Sequence, residues 1–198
     1  QKRNSKVVQH AIEQELTRKG QVYYLHNLVG TIGMVKRTLK ELLPKARIGI
    51  VHGQLKEKEL VRVMNDFQKG VYDVLLATTI IENGLDLPNV NTLIVEDATC
   101  LGLSQAYQLR GRIGRARQQS FAYFLHGSKL SLKAGLRLKA LKEAGELGSG
   151  YKIALRDMEI RGAGNILGKE QSGNVNAIGL NLYCQMLSDA VEKLRNKS

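Results

Sequence analysis

Short runs in which almost every residue is apolar recur along this chain: "QVYYLHN" at 21–27, "ARIGIVHG" at 46–53, "YDVLLATT" at 72–79, "VNTLIVED" at 90–97 and "QSFAYFLH" at 119–126. Between them the apolar residues return every third or fourth position instead. Residues 4–18 place Val7, Val8, Ala11, Ile12 and Leu16 at helical spacing before Gly20, and 31–43 place Ile32, Val35, Leu39, Leu42 and Leu43 before Pro44. Leu60, Val63, Met64 and Phe67 form a third such stripe, stopped by Gly70, and a fourth helix is expected near Ser104 to Leu109. A strand that is apolar at nearly every position is covered on both sides. Strands of that kind alternating with helices specify a parallel sheet with helices on both faces. The expectation is therefore an α/β domain over residues 1–127. After Gly127 no further strand pattern occurs. Residues 129–147 are rich in Leu, Lys and Ala, "GSG" makes a turn, 151–173 is polar, and Leu180, Leu182, Met186, Leu187 and Val191 lie along an amphipathic terminal helix. A small helical appendage over 128–198 is the corresponding expectation.

Hydrophobic residues make up 43% of the 198 and Pro only 2, enough apolar surface to fold rather than remain disordered. Lys and Arg number 30 against 18 acidic residues, a net charge of +12, which points to a polyanionic partner beyond mere solubility. The sequence shows no apolar run of membrane-spanning length and no signal peptide, so no membrane partner and a cytoplasmic location are expected. Cys100 and Cys184 are far apart, and His10, His26, His52 and His126 are scattered, so no metal site is expected. The chain opens at Gln1 rather than Met, as a fragment of a longer protein or a processed product would.

The glycines and the Gly-Lys pair of "RGAGNILGKEQSG" at 161–173 invite comparison with a phosphate-binding loop. The nucleotide motif G-x-x-x-x-G-K-[ST] needs an interval of five between its glycines, so that backbone N–H groups wrap the phosphates, and a hydroxyl after the lysine to reach Mg²⁺. Gly162 lies six residues before Gly168 and Gly164 four, and Glu170 stands where the hydroxyl belongs. The stretch is a Gly-rich turn, and the chain holds no complete nucleotide site of its own.

The loops that leave the predicted strands carry polar clusters: "HN" at 26, "HGQ" at 52, "TTIIENGLD" at 78 and "GRIGRARQ" at 111. Ligands of parallel sheets collect at the carboxyl ends of strands. Arg110, Arg112, Arg115 and Arg117, interrupted by Gly111 and Gly114, suit bidentate phosphate binding where negative charge grows during phosphoryl transfer. The same four arginines also fit a solvated charge run or a general RNA-binding patch. Thr78 and Thr79 suit phosphodiester contacts that fix register without reading sequence, and Glu82 and Asp86 suit charge-assisted bonds to the arginines. An ordinary connection between two strands remains the plainer reading of that loop alone.

Taken together and in order, "VYYLHN", "GIVHGQL", "ATTIIENGLDLPN" and "YQLRGRIGRA" resemble the motifs of the second RecA-like lobe of superfamily 2 helicases and translocases. "DMEIRGAGNILGKEQSG" at 157–173 resembles the translocation motif that follows this lobe in RecG helicases and transcription-repair coupling factors. "GQVYYLHN", "LVRVMNDF" and "IGLNLYCQML" look closer to the coupling factors. The resemblance implies ATP with Mg²⁺ as cofactor, bound between two lobes, with the P-loop and the Mg²⁺ ligands on a first lobe absent from this sequence. It implies Arg112 and Arg115 as arginine fingers, Gln108 as the polar residue opening their motif, and Glu82, Gly84 and Asp86 as the link to the nucleotide cleft. His52, Gly53, Thr78 and Thr79 would face the backbone of double-stranded DNA, and Arg161 and Gln171 would couple hydrolysis to movement. A local ion pair of Arg161 with Asp157 or Glu159 is the alternative for that arginine. Cys100 and Leu101 stand where relatives often carry charged or aromatic residues, so that loop is assigned no DNA contact. The absence of Trp and only 7 Tyr and 3 Phe argue against base stacking on single strands. By resemblance the full-length protein would be a duplex-DNA translocase that displaces stalled RNA polymerase and recruits an excision-repair protein through its other domains. Its alternatives are a RecG-like fork-remodelling helicase and a non-catalytic nucleic-acid-binding module.

Overall fold

The computed structural model describes residues 2–78, 89–114, 119–127, 130–143 and positions 153, 154, 156, 157 and 160. Five helices and five strands alternate among them: α1 (Ser5–Thr17), β1 (Gln21–Leu25), α2 (Ile32–Leu42), β2 (Ile48–Val51), α3 (Glu57–Gln68), β3 (Val74–Ala77), β4 (Val90–Val95), α4 (Leu103–Arg110), β5 (Phe121–Phe124) and α5 (Leu132–Glu143). The strands form one sheet in the order β2-β3-β1-β4-β5, every neighbouring pair parallel.

Period two along the strands divides the core into two layers. Val22 and Tyr24 of β1, Val74 and Leu76 of β3 and Ile94 of β4 face α1 and α2, packing on Val8, Ile12, Ile32 and Leu39. Tyr23, Leu25, Leu75, Ala77, Leu93 and Val95 face the other way, onto Met64 and Phe67 of α3, Leu103, Ala106 and Leu109 of α4, and Ala140 and Leu141 of α5. Ile153 is buried in that same layer, so described positions beyond 127 share a core with the sheet. Ser104 Oγ donates to Asp157 Oδ2 at 3.3 Å, tying the start of α4 to the segment after α5.

Helix ends follow from local chemistry. Asn4 caps α1 by accepting the Lys6 N–H at 2.9 Å. Gly70, at φ +76°, ends α3 in the left-handed conformation glycine adopts without strain. At the end of α1 the left-handed residue is Lys19, at φ 59°, not Gly20. Gly20 is needed for space: a Cβ there would lie 2.7 Å from Glu15 Cδ and nearer still to Oε1.

Glu15 is the least expected member of the core. It continues the stripe of Val8, Ala11 and Ile12 and is 1% exposed. Its carboxylate accepts from Thr92 Oγ1 and Asn91 Nδ2 and pairs with Arg18. Between Val90 and Thr92 the β1–β4 register shifts by one residue, which turns this polar pair toward α1.

Candidate functional site

With all strands parallel, every strand exit lies on one edge of the sheet: His26 and Asn27 after β1, His52 and Gly53 after β2, Thr78 after β3, Glu96 and Asp97 after β4, and His126 after β5. His52 is half-buried and Gly53 exposed. The Gln54 N–H donates to His52 Nδ1 at 3.3 Å, which leaves Nε2 as the ring nitrogen available to another partner. Thr78 is 1% exposed and its Oγ1 is buried with no hydrogen-bond partner, so the hydroxyl is not presented at the surface.

The switch point of the sheet lies between β1 and β4, because the helix after β1 packs on one face and the helix after β4 on the other. A buried polar cluster occupies it. Glu96, 3% exposed, pairs with His26 Nδ1 and with Arg3, whose Nη2 is 2.5 Å from Oε1. His26 Nε2 lies 2.7 Å from Thr31 Oγ1, and Asn27 Nδ2 donates to the Asp97 carbonyl at 2.9 Å. Burial pushes the Asp97 carboxyl up, but the Thr99 hydroxyl and N–H, Cys100 and Arg3 outweigh it and hold the group below the usual carboxylate range. "HN" at 26 stands out in the sequence as a polar strand exit, whereas Glu96 and Asp97 end the apolar run "VNTLIVED" and carry no such mark; only the strand order makes the two pairs neighbours.

Arg112 lies at the opposite edge. Helix α4 starts beyond the carboxyl end of β4 and returns toward its amino end, and past it the Gly114 N–H donates to the Val90 carbonyl, at the start of β4, at 3.3 Å. The "GRIGRARQ" stretch is therefore not a strand exit like the other three clusters. It is a turn from helix to strand, separated from the exits by the length of β4, six residues and about 20 Å. Arg112 is half-buried, and among the described residues its guanidinium makes no hydrogen bond or ion pair. An unneutralised guanidinium held in place by a helix end suits a phosphate oxygen. Gln108 is exposed near the end of the same helix. Arg115, Thr79, Glu82, Gly84, Asp86, Arg161 and Gln171 lie outside the described residues. Among those described, no group of three or more His, Cys, Asp and Glu side chains is placed to hold a metal ion, and no helix is long and apolar enough to cross a membrane.

A family model, the helicase conserved C-terminal domain, matches residues 4–117. The chain belongs to the helicase C-terminal domain family. Its sheet is the RecA-like fold of the second lobe of superfamily 2 helicases. This helicase lobe is 51% identical over 194 residues to the transcription-repair-coupling factor of Staphylococcus haemolyticus (strain JCSC1435), a match covering 97% of the chain and 17% of that protein. The factor from Staphylococcus aureus (strain USA300) matches at the same 51%. The chain thus spans about a sixth of the length of these curated relatives, 17%. The structure of RecG bound to a three-way DNA junction superposes with a TM-score of 0.70 at 31% identity, covering 91% of the chain and 24% of RecG. Saccharomyces cerevisiae Dbp5 L327V bound to RNA and ADP BeF3 shares the fold at a TM-score of 0.57 and 18% identity, covering 80% of the chain and 43% of Dbp5.

Proposed function

We propose that this chain is the second half of an ATP-dependent motor on double-stranded DNA, a transcription-repair coupling factor that displaces stalled RNA polymerase and brings in excision repair. The observation that carries this reading is the extent of the likeness: 51% identity runs over 97% of the chain, past the 4–117 span common to helicase lobes. The 31% identity to RecG places a fork-remodelling helicase second. Residues 1–127 form the lobe, and residues 128–198 form the helical region that transmits its movement, with Arg161 and Gln171 as coupling residues. RNA polymerase and the repair protein dock on other domains of the full-length protein, in the cytoplasm.

ATP with Mg²⁺, the ion held by a first lobe outside this sequence, supplies the phosphoanhydride bond whose cleavage drives the cycle. This lobe contributes the charge that stabilises the transferring phosphoryl group. Arg112, with no acidic partner among the described residues, is free to donate to a phosphate oxygen without first breaking an ion pair. Arg115 is the second finger, and Gln108 orients the same edge. Fingers of this type contribute on the order of 10³–10⁵ in rate. At the carboxyl edge, His52 Nε2, the exposed Gly53 and the Thr78–Thr79 pair hold the duplex backbone, with Glu82, Gly84 and Asp86 linking that contact to the nucleotide cleft. The Thr78 hydroxyl reaches a phosphate by turning out of its buried position, and its unpartnered Oγ1 means that no side-chain hydrogen bond is lost in doing so.

The test is steady-state ATP hydrolysis by the full-length protein, with and without duplex DNA, for the parent, Arg112→Ala and Arg115→Ala. Duplex-stimulated turnover that collapses in both variants while ATP still binds is the expected result. Unchanged turnover would leave a basic DNA-binding domain that never sandwiches a nucleotide.

A further inference from the structure

The loop that carries Arg112 is held at both feet. On one side Gly114, at φ +77°, bonds to the Val90 carbonyl at 3.3 Å and sits so close to Ser120 that a Cβ on it would lie 2.7 Å from Ser120 Cβ. On the other side Arg18, at the end of α1, donates from Nη1 to the Gln119 carbonyl at 2.9 Å and places its guanidinium 5.1 Å from the centre of the Phe121 ring. The remaining terminal nitrogen, Nη2, pairs with buried Glu15. Glu15 in turn is fixed by Thr92 and Asn91 on β4, the strand whose first residue, Val90, receives Gly114.

We propose that Arg18 is a positioning residue for the arginine finger: it links the buried Glu15 to the Gln119 carbonyl and so sets Ser120, against which Gly114 packs two residues after Arg112, at the amino edge of the sheet. This rests on Arg112 being a finger. Three features favour positioning over plain stabilisation. The two Nη groups serve two acceptors on different elements, so the side chain bridges α1 to residue 119. The acceptor on the loop is a backbone carbonyl, so the bond reports the path of the main chain and not the identity of residue 119. The planar fork and the stacking face are both in use, and an ammonium offers neither.

Arg18→Lys in the full-length protein is the direct test, because lysine keeps a cation beside buried Glu15 but cannot span both acceptors. With duplex DNA present, kcat for ATP hydrolysis is expected to fall on the order of 10- to 100-fold, the scale of a misplacement near 1 Å. KM for ATP and duplex affinity without nucleotide should stay near the parent's, and the loss should not add to that of Arg112→Ala. Phe121→Leu leaves the ion pair and removes the ring beneath the guanidinium. It is expected to lower kcat in the same sense, and it decides the matter should Arg18→Lys fail to fold. Parent-like kcat in the folded variants, or a loss that adds fully to that of Arg112→Ala, overturns the proposal while Arg112→Ala remains inactive. Full turnover in Arg112→Ala itself removes the finger reading, and this proposal with it.

Discussion

Replacing Gly20 by alanine tests the buried carboxylate that ties α1 to the sheet. The new Cβ would sit 2.7 Å from Glu15 Cδ, and closer to Oε1, so the carboxylate has to move. A flexible side chain at a surface would swing away at little cost. The Glu15 side chain is fully buried at 0% exposure, held by Thr92, Asn91 and Arg18, with no solvent to turn into. Displacing one partner of a buried pair costs about 3–5 kcal/mol. The lower entropy of an alanine in the unfolded chain offsets about 0.4–1 kcal/mol of this. A net loss of roughly 2–4 kcal/mol is expected, and at about 2–4 °C per kcal/mol for a chain of this size it lowers the melting temperature by roughly 5–15 °C. Gly70→Ala is the control: nothing lies within 4 Å of its Cβ, and only the backbone cost of φ +76° remains, about 1–2 kcal/mol. Adding Glu15→Ala to Gly20→Ala should cost much less than Glu15→Ala alone, since the first change has already dislodged the carboxylate. Thermal and urea melts of the parent and the four variants supply the numbers. A Gly20→Ala loss below about 0.5 kcal/mol, the scale of an inconsequential surface change, would refute the wedge.

Asp73 accepts from the Arg47 N–H at 2.8 Å, from Nε at 3.0 Å and from Nη2 at 2.5 Å. Burial pushes this carboxyl up, but the bonds and charge of Arg47, with Lys40 beyond, hold it below its ordinary value of 3.8. A carboxyl lowered in the folded state contributes stability that is complete above its unfolded value and is lost as pH falls through the folded one. Asp73→Asn should therefore flatten part of the stability decline seen in urea melts below pH 3.8, and an unaltered acid limb would contradict the pairing. At the opposite edge, His52→Ala should weaken duplex binding by about 1 kcal/mol, equally for unrelated sequences. With Nδ1 accepting the Gln54 N–H, a contact made through Nε2 adds no neutralised phosphate, so the log-log salt slope, about −0.9 per neutralised phosphate, should not change. A shallower slope in the variant would mean that the imidazole binds as a cation.

Much of the fold was legible because burial on both faces leaves a direct mark on composition. "VYYL", "VLLA" and "TLIV" have no polar face, and each proved to be an interior strand of the parallel sheet. Helix stripes such as Ile32 with Leu39, or Met64 with Phe67, fell where period 3.6 placed them. Glu15 was not legible, because a carboxylate among apolar stripe positions looks like a solvated residue until Thr92, Asn91 and Arg18 are seen around it. Gly20 was read as a helix stop, and its position in sequence supports that. Its actual constraint is the space taken by Glu15, which no local pattern encodes.

Strand order has the larger consequence for the site. Residue types alone suggest four polar clusters on one edge, each in a loop that leaves a strand. In the sheet, His52 and Thr78 leave β2 and β3 at the carboxyl edge, while Arg112 follows a helix that has already returned to the amino edge. Arg112 and His52 thus stand at opposite ends of β4 and its neighbours, five parallel strands packed on both faces. A sheet so packed shifts as a body rather than bending between its ends. Movement imposed at Arg112 by closure on a nucleotide would therefore reach His52 as a displacement of the whole lobe. That displacement depends on how firmly the arginine loop is fastened to the amino edge. Val90, Arg18 and buried Glu15 are the residues that fasten it.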